Sequence, residues 1–522
     1  MKKLIWFVIR HFLSFKKEYC LIILQNNNEL RSTGGFITSV FEVEIGRWQV
    51  KKKMLRVETD LCKHEKIKAP KAIQEMLFDS QLKTWTFRDG NYSPDFGKTA
   101  IKLIEFYHLV YPENSVAGLL AINFSFIEGW LKILGPLSLG DEVVDYKRLF
   151  IFLSATTSDI DRHDLDALNE RKMVLNSLAK KMILKSLIKP WLWLKLIIFL
   201  KRSFLEKELQ LYETNTASSF GFNAKNNEDF FAVIENNYLG LKSNRYITRT
   251  IHHDSRITPE GNLINMVRVR WEHFGLSNYP LSGKYTAHVR FYISKEASLE
   301  AGEGYEIYEE SELKVLSIKV LLKPKEVVEK RFKYSLPKSF IEKKYKFRFF
   351  KQSGVKNELL RKSFSLPLFL SFKKEGNLSF TEGFAFKSYE NISKDALFEA
   401  KIEKSKDHPR VYSHAIVSPN QVLVKFNEAI YFKEEEKFIS MREKTDPDKL
   451  IKVEDFLLLN EGKWLLINLK DLPNKEEAFY CLTLNNILNA NGISIKPNPK
   501  KLTVVYRSRH FHYWQKQLSA SI

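Results

Sequence analysis

Three stretches of this chain bring together residue types able to hold an anion. The first is Gln25–Phe36, QNNNELRSTGGF, set between two apolar runs. Arg31 offers a planar fork of N–H donors matched to phosphate or carboxylate. Gly34 and Gly35 allow close backbone approach with exposed N–H groups, an anion-binding nest, and Asn26 and Glu29 add ligand-binding polar groups beside them. The same residues also suit a tight turn in which Glu29 pairs with Arg31. The second stretch is Thr84–Lys98, TWTFRDGNYSPDFGK. Its Arg88, Asp89 and Asp95 could hold a metal–phosphate pair, because Mg2+ is commonly bound by one or two carboxylates plus ligand oxygens. Alternatively, Asp95 complements a helix dipole, an effect of about 0.3–1 kcal/mol. The third, Asn236–Arg249 (NNYLGLKSNRYITR), concentrates Lys242, Arg245 and Arg249 beside Asn244. Read as a strand, it places residues 245 and 249 on one face, where both guanidinia meet either one anion or solvent.

These residues need elements to position them. Tyr19–Leu24 (YCLIIL) is a continuous apolar run, as expected of a buried strand, and leaves Gln25–Phe36 as a polar loop at its carboxyl end, where α/β sheets bind ligands. Phe36–Glu44 and Trp48–Val57 alternate and join at Ile45-Gly46-Arg47, which predicts a hairpin. Ser93-Pro94-Asp95 predicts a helix start with Ser as N-cap and Pro at the first helical position. That helix carries Ile101, Ile104, Phe106 and Tyr107 and ends near Tyr111-Pro112. Val116–Ile122 is a second buried strand, followed by a helix to Leu134 and the stop Gly135-Pro136. Strand, helix, strand, helix predicts an α/β N-terminal domain over 17–142. Beyond it, 143–206 read as a helical insert, 207–300 as a β-rich continuation, and 301–372 as a β-sandwich module. Residues 373–407 read as a linker, 408–508 as a sandwich of short strands with polar turns, and 509–522 as a tail.

Composition narrows the function classes. The 522 residues are 44% hydrophobic and 28% charged, which excludes wholesale disorder, and the 21 Gly and 16 Pro exclude collagen-like architecture. Eighty-three Lys and Arg against 62 Asp and Glu leave +21, favouring anionic partners. The basic residues are scattered and no RNA- or DNA-binding motif accompanies them, so nucleic acid is not an expected partner. Cys20, Cys62 and Cys481 form no CxxC; Cys20 and Cys481 lie in apolar runs and read as buried thiols. There is no P-loop, GxSxG, HExxH or GxGxxG. Met1–Phe15 is interrupted by Arg10 and His11, so it completes neither a signal peptide nor a membrane span of about 20 residues. Met182–Phe204 is broken by Lys185, Lys189, Pro190 and Lys195 into two helical pieces, read either as a core helix pair or as an attachment to an anionic membrane surface.

In order, "LQNNNELRSTGGFI", "RDGNYSPDF", "ILGP" and "NNYLGLKSNRYITR" resemble the bacterial family known as domain of unknown function 4012. "HVRFYIS" at 288–294, "KYSLP" at 333–337 and "FFKQSG" at 349–354 extend the likeness over about residues 17–372. Members usually carry an N-terminal membrane helix, which Lys3–Phe15 does not complete. The order of elements also looks like that of the LytR-CpsA-Psr domain, which transfers wall glycopolymers from polyprenyl-pyrophosphate carriers. That likeness implies Arg31, Arg88 and Asp95 as catalytic residues, with the arginines gripping pyrophosphate and Asp89 or Asp95 binding Mg2+; an "IPRD"-like strand end is absent. The order of motifs in 408–508 resembles bacterial immunoglobulin-like modules. The resulting expectation is an extracytoplasmic cell-envelope protein that binds, and transfers, a phosphorylated or polyprenyl-pyrophosphate-linked glycan precursor. The alternative is a non-catalytic surface or adhesion scaffold of β modules.

Overall fold

The central strand of the N-terminal sheet in this computed structural model is β1 (Glu18–Arg31). The structure describes the chain except residues 1, 15, 47–48, 58–59, 62–66, 71–72, 75–84, 140–141, 159–164, 215, 217–220, 239–241, 259–261, 277–280, 302–303, 343, 367–369, 374–378, 382–383, 390–391, 405–407, 433–438, 447, 471–476, 490–491 and 508–522. Cys62, Arg47 and the 509–522 tail therefore lie outside the described residues.

Strand β1 pairs antiparallel with β2 (Gly34–Gly46) and parallel with β4 (Val116–Asn123). With β3 (Gln49–Leu55) and β7 (Leu209–Glu213) the order is β3-β2-β1-β4-β7. Alternation along β1 divides its side chains between two faces. Leu21 and Ile23 pack with Phe96, Leu103 and Tyr107 of α2 (Phe96–His108), while Cys20 packs with Phe7 of α1 (Lys2–Phe12). Directly after β4, α3 (Phe124–Leu134) runs to Gly135, whose φ of 77° ends it. A short hairpin follows, β5 (Leu137–Leu139) and β6 (Glu142–Val144), then α4 (Leu149–Ser158), α5 (Leu165–Ile188) and α6 (Trp193–Leu205). A 3-10 turn at Pro190–Leu192 separates α5 from α6, where proline stops the first helix.

Residues 229–404 build two seven-stranded sheets. One contains β8 (Asp229–Asn236), β11 (Tyr285–Ser294), β13 (Glu306–Glu310), β14 (Leu313–Leu322), β16 (Tyr345–Phe350), β18 (Leu370–Lys373) and β21 (Ala396–Lys404), in the order β13-β14-β11-β8-β16-β21-β18. The other contains β9 (Ile247–Ile257), β10 (Leu263–His273), β12 (Ser298–Ala301), β15 (Val327–Leu336), β17 (Glu358–Ser365), β19 (Ser379–Thr381) and β20 (Phe384–Tyr389), in the order β12-β15-β10-β9-β17-β20-β19. One apolar core, including Trp271, Phe291, Phe332 and Phe347, fills the space between them. Strands β9 and β10 alternate buried with more exposed residues, whereas β8 and β11 are buried on both faces. The second face of β8 and β11 is covered in part by Phe222 and Phe350 and in part by the N-terminal unit. Residues 411–507 form two further four-stranded sheets around a separate core that includes Val424, Ile467 and Tyr480.

The expected class, an α/β N-terminal domain followed by β-rich and immunoglobulin-like modules, is corrected. Half of the described residues are strand and one fifth helix, and neither an α/β domain nor a distinct immunoglobulin-like sandwich stands out from this β-rich whole. In the N-terminal sheet only β1–β4 is parallel; its other pairings are antiparallel. Strands on both sides of residue 301 share the same two sheets, and 373–407, expected to be a linker, supplies β19, β20 and all of β21. Cys20 is buried as expected, but Cys481 is only half-buried. Among the described residues, no helix is long and apolar enough to cross a membrane.

Candidate functional site

The stretch expected to be a polar loop is strand. Strand β1 continues past Leu24 to Arg31, and its register against β2 shifts between Asn26 and Leu30, which places Asn27, Asn28 and Glu29 in a bulge. Asn and Gln are tolerated there because their amides find protein partners. Asn27 donates to the Gly354 carbonyl at 2.9 Å and accepts from the Ser125 N–H at 3.1 Å. Asn26 accepts from Asn28 and donates to Glu29 Oε1 at 3.3 Å. Gln25 donates to the Thr33 carbonyl at 3.1 Å. The glycines serve contact rather than an open nest. Gly34 has φ 145°, and a Cβ there would lie 2.1 Å from Asn123 Oδ1; one on Gly35 would lie 2.1 Å from the Asn26 carbonyl oxygen. Across the joint, Gly354 has φ 82°, and a Cβ on it would meet the Gly34 carbonyl oxygen at 2.5 Å.

Arg31 is 2% exposed and Asp89 8%. Arg31 Nε and Nη2 each donate to Asp89 Oδ1 at 3.1 Å, while Nη1 donates to the carbonyls of Leu30 and Asn237. The guanidinium also lies 4.6 Å from the Tyr238 ring. An expected pyrophosphate grip and an expected metal ligand thus neutralise each other, Asp89 being presented by a 3-10 turn at Phe87–Asp89. Arg88, in the same turn, sets its guanidinium 4.7 Å from the Phe36 ring. Asp95 is the N-cap of α2, accepting from the Gly97 N–H at 2.8 Å and the Lys98 N–H at 3.4 Å. This corrects the expected cap, Ser93.

The third stretch interlocks with the first. The Asn237 N–H donates to the Leu30 carbonyl at 2.9 Å, and the Asn244 side-chain oxygen accepts from the Leu30 N–H at 3.1 Å and from Asn237 at 2.9 Å. Residues Lys242–Tyr246 form a 3-10 turn, not a strand, so Arg245 and Arg249 do not share a face. Arg245 pairs with Glu128 on α3 at 3.0 Å, and Lys242 reaches Ser154 on α4 at 3.4 Å. Arg249, 1% exposed, is held at 2.6 Å by both Glu235 and Glu358. Burial pushes its guanidinium down, but Glu358 and Glu235 outweigh that and hold it above its ordinary value.

Two further segments close the network. Gln352 of the "FFKQSG" stretch donates to the carbonyls of Arg31 (3.0 Å) and Glu235 (2.7 Å) and accepts from the Glu235 N–H at 2.9 Å. Arg290 of the "HVRFYIS" stretch donates to Ser32 Oγ and to the Tyr92 carbonyl, both at 2.7 Å, and packs 4.0 Å from the Tyr92 ring. The structure therefore brings Asn26, Glu29, Arg31, Gly34, Gly35, Asp89 and Asn244 to one buried joint between the N-terminal sheet and the sandwich. It places Arg245 and Lys242 against the helices, Arg249 inside the sandwich, and Asp95 at a helix end. Among the described residues, no group of three or more His, Cys, Asp or Glu is placed to hold a metal ion.

Sequence reasoning missed a second polar cluster, inside the sandwich. Lys362 is fully buried, with Nζ 3.0 Å from His253 Nδ1, a hydrogen bond to Ser255, and the Phe347 ring 4.6 Å away. Asp229 accepts from Tyr334 at 2.7 Å and from Tyr345 at 2.6 Å. Burial pushes Lys362 down to about 7, against the pull of Asp229 and Asp254, and drives His253 well below its usual range. Burial also raises Asp229, against the opposing pull of Lys362. These residues come from five strands and two sheets, and no spacing in the sequence announces them.

Compared with known proteins, residues 16–157 match the family described as "Protein of unknown function (DUF4012)", which supports the family likeness carried by the motifs. No curated protein matches the chain. Among solved structures, the N-terminal part of the bacterial S-layer protein SbsC is 13% identical with a TM-score of 0.17, over 19% of this chain and 24% of that one. A putative protease from Parabacteroides distasonis is 6% identical with a TM-score of 0.17, over 44% and 41% respectively. An M1 zinc metallopeptidase from Deinococcus radiodurans is 10% identical with a TM-score of 0.15, over 35% and 47%. The chain thus spans less than half the length of each of these three structures.

Proposed function

We propose that this protein is a non-catalytic scaffold of the bacterial cell envelope, in which the motif residues lock the N-terminal sheet onto the β-sandwich. The observation that carries this reading is the buried Arg31–Asp89 pair, whose remaining Arg31 donor goes to the Leu30 and Asn237 carbonyls. A charge with its hydrogen bonds satisfied inside protein has little left to offer a ligand. A LytR-CpsA-Psr-like transferase would need Arg31 and Asp89 to turn apart, one towards pyrophosphate and the other towards Mg2+, leaving the Asn237 carbonyl buried without this donor. Placement in the envelope is what the family resemblance carried by the motifs implies; residues 16–157 match that family.

The test is a thermal-shift titration of the full chain with a short-chain prenyl pyrophosphate, with and without Mg2+, in the native protein and in Arg88→Ala. A bound ligand at 100 times its dissociation constant would stabilise the native state by about 2.7 kcal/mol. The scaffold reading predicts no shift in either protein. A Mg2+-dependent shift that disappears in Arg88→Ala would overturn it in favour of glycan-precursor binding.

A further inference from the structure

Helices α5 and α6 each carry two apolar stripes, and only one of them is covered. The inner stripe, with Leu178 and Met182 on α5 and Leu196 on α6, packs against Leu131, Leu134 and the β5–β6 hairpin. Phe199 stacks on Phe126 with ring centroids 5.1 Å apart. The outer stripe faces solvent. Leu184, Leu187, Ile188, Trp191, Leu194 and Ile198 are each 59–69% exposed. On α5 their spacing is that of one helix face, continued through the turn at Pro190–Leu192. Scattered exposed leucines are ordinary in soluble proteins, but a contiguous apolar stripe crowned by a tryptophan marks a docking surface.

Charge selects the occupant. Residues 173–205 contain Lys180, Lys181, Lys185, Lys189, Lys195 and Lys201, with Arg202, and no Asp or Glu. Lys181 and Lys185 reach back to the carbonyls of Ser138 and Pro136, and Arg202 pairs with Glu206, while Lys180, Lys195 and Lys201 are exposed beside the stripe. A second copy docked through this face would bring like charges together about a two-fold axis. An anionic lipid surface instead takes the leucines and Trp191 into the headgroup–acyl boundary, while the lysines extend to the phosphates. Neither helix is long and apolar enough to cross the bilayer. We propose that the outer faces of α5 and α6 lie in the surface of an anionic membrane, an inference independent of the scaffold reading.

The test is flotation of the full chain with vesicles of phosphatidylcholine alone or mixed with phosphatidylglycerol. The protein is expected to float with the mixed vesicles and, at low salt, on the order of tenfold less with the neutral ones. Leu187→Ser with Leu194→Ser should abolish flotation on both. Lys195→Glu with Lys201→Glu should remove the preference for the anionic lipid. All four positions are exposed, so circular dichroism melts should match the native protein and separate loss of binding from loss of fold. The proposal is overturned if the native chain stays behind with both vesicles. It is equally overturned if the leucine variant floats unchanged, or if sedimentation shows a dimer that the leucine variant dissolves while no vesicle binds.

Discussion

Replacing Lys362 by methionine should change how stability depends on pH more than it changes the fold. The folded amine is held at about 7 against an ordinary 10.5, because burial opposes its charge more strongly than Asp229 and Asp254 favour it. Between those values the unfolded chain binds a proton that the folded chain has lost. The amine therefore opposes folding at pH 7, and stability rises as pH climbs towards 10.5. For this one group the opposition is about 4 kcal/mol at pH 7 and about 2 kcal/mol at pH 9, using about 1.4 kcal/mol per pKa unit. Lys207, buried and held at about 8, acts in the same direction, and Cys20, raised to about 12, acts against it. Both are present in the variant and cancel in the comparison. The assay is pulse proteolysis across a urea series at pH 7, 8 and 9, following peptides from β9 and β17. The native protein should gain about 2 kcal/mol on Lys362→Met between pH 7 and pH 9. Parallel pH profiles would refute the reasoning and mean that Lys362 keeps its proton inside the sandwich.

Asp95→Ala should cost about 1 kcal/mol, as loss of an N-cap does, with faster amide exchange confined to the first turn of α2 and no effect on ligand or lipid binding. Gly354→Ala should be far more damaging than Gly135→Ala. Both glycines have positive φ, a strain of about 1–2 kcal/mol for an L-residue, but only Gly354 would also drive a Cβ to within 2.5 Å of the Gly34 carbonyl oxygen. Hydrogen exchange should show residues 25–35 and 351–357 deprotected together in Gly354→Ala and untouched in Gly135→Ala.

The elements around the joint were legible because they rest on local signals. The apolar run before Gln25, the strand at 116–122 and the helix stop at Gly135-Pro136 all stand where hydrophobic pattern and Gly/Pro chemistry put them. The break at Pro190 is where the helical pattern fails. The polar stretch after Leu24 misled because Asn, Gln and Arg in a strand look like a loop until their partners are known, and those partners lie up to 327 residues away, as Asn27 and Gly354 do. Sequence distance likewise hides the role of Arg249: alternation sets it on the buried face with Ile247 and Ile251, but its partner Glu358 arrives from β17, 109 residues on. The motifs pointed to Arg31, Asp89 and Asn244, which do come together, but also to Asp95, Lys242, Arg245 and Arg249, which lie elsewhere. They did not tell whether those residues meet a ligand or one another.

That distinction is tested most directly by a double-mutant cycle on Arg31→Met and Asp89→Asn, read by hydrogen exchange over β1, β8 and residues 351–357. Each single change leaves a buried partner unpaired and should cost about 3–5 kcal/mol, opening both sides of the joint together. The double variant should recover at least about 1 kcal/mol of the summed loss, the coupling of groups in direct contact. Strictly additive losses, or single variants that leave β8 and residues 351–357 as protected as in the native chain, would contradict the account. They would return Arg31 and Asp89 to the role of ligand-facing groups.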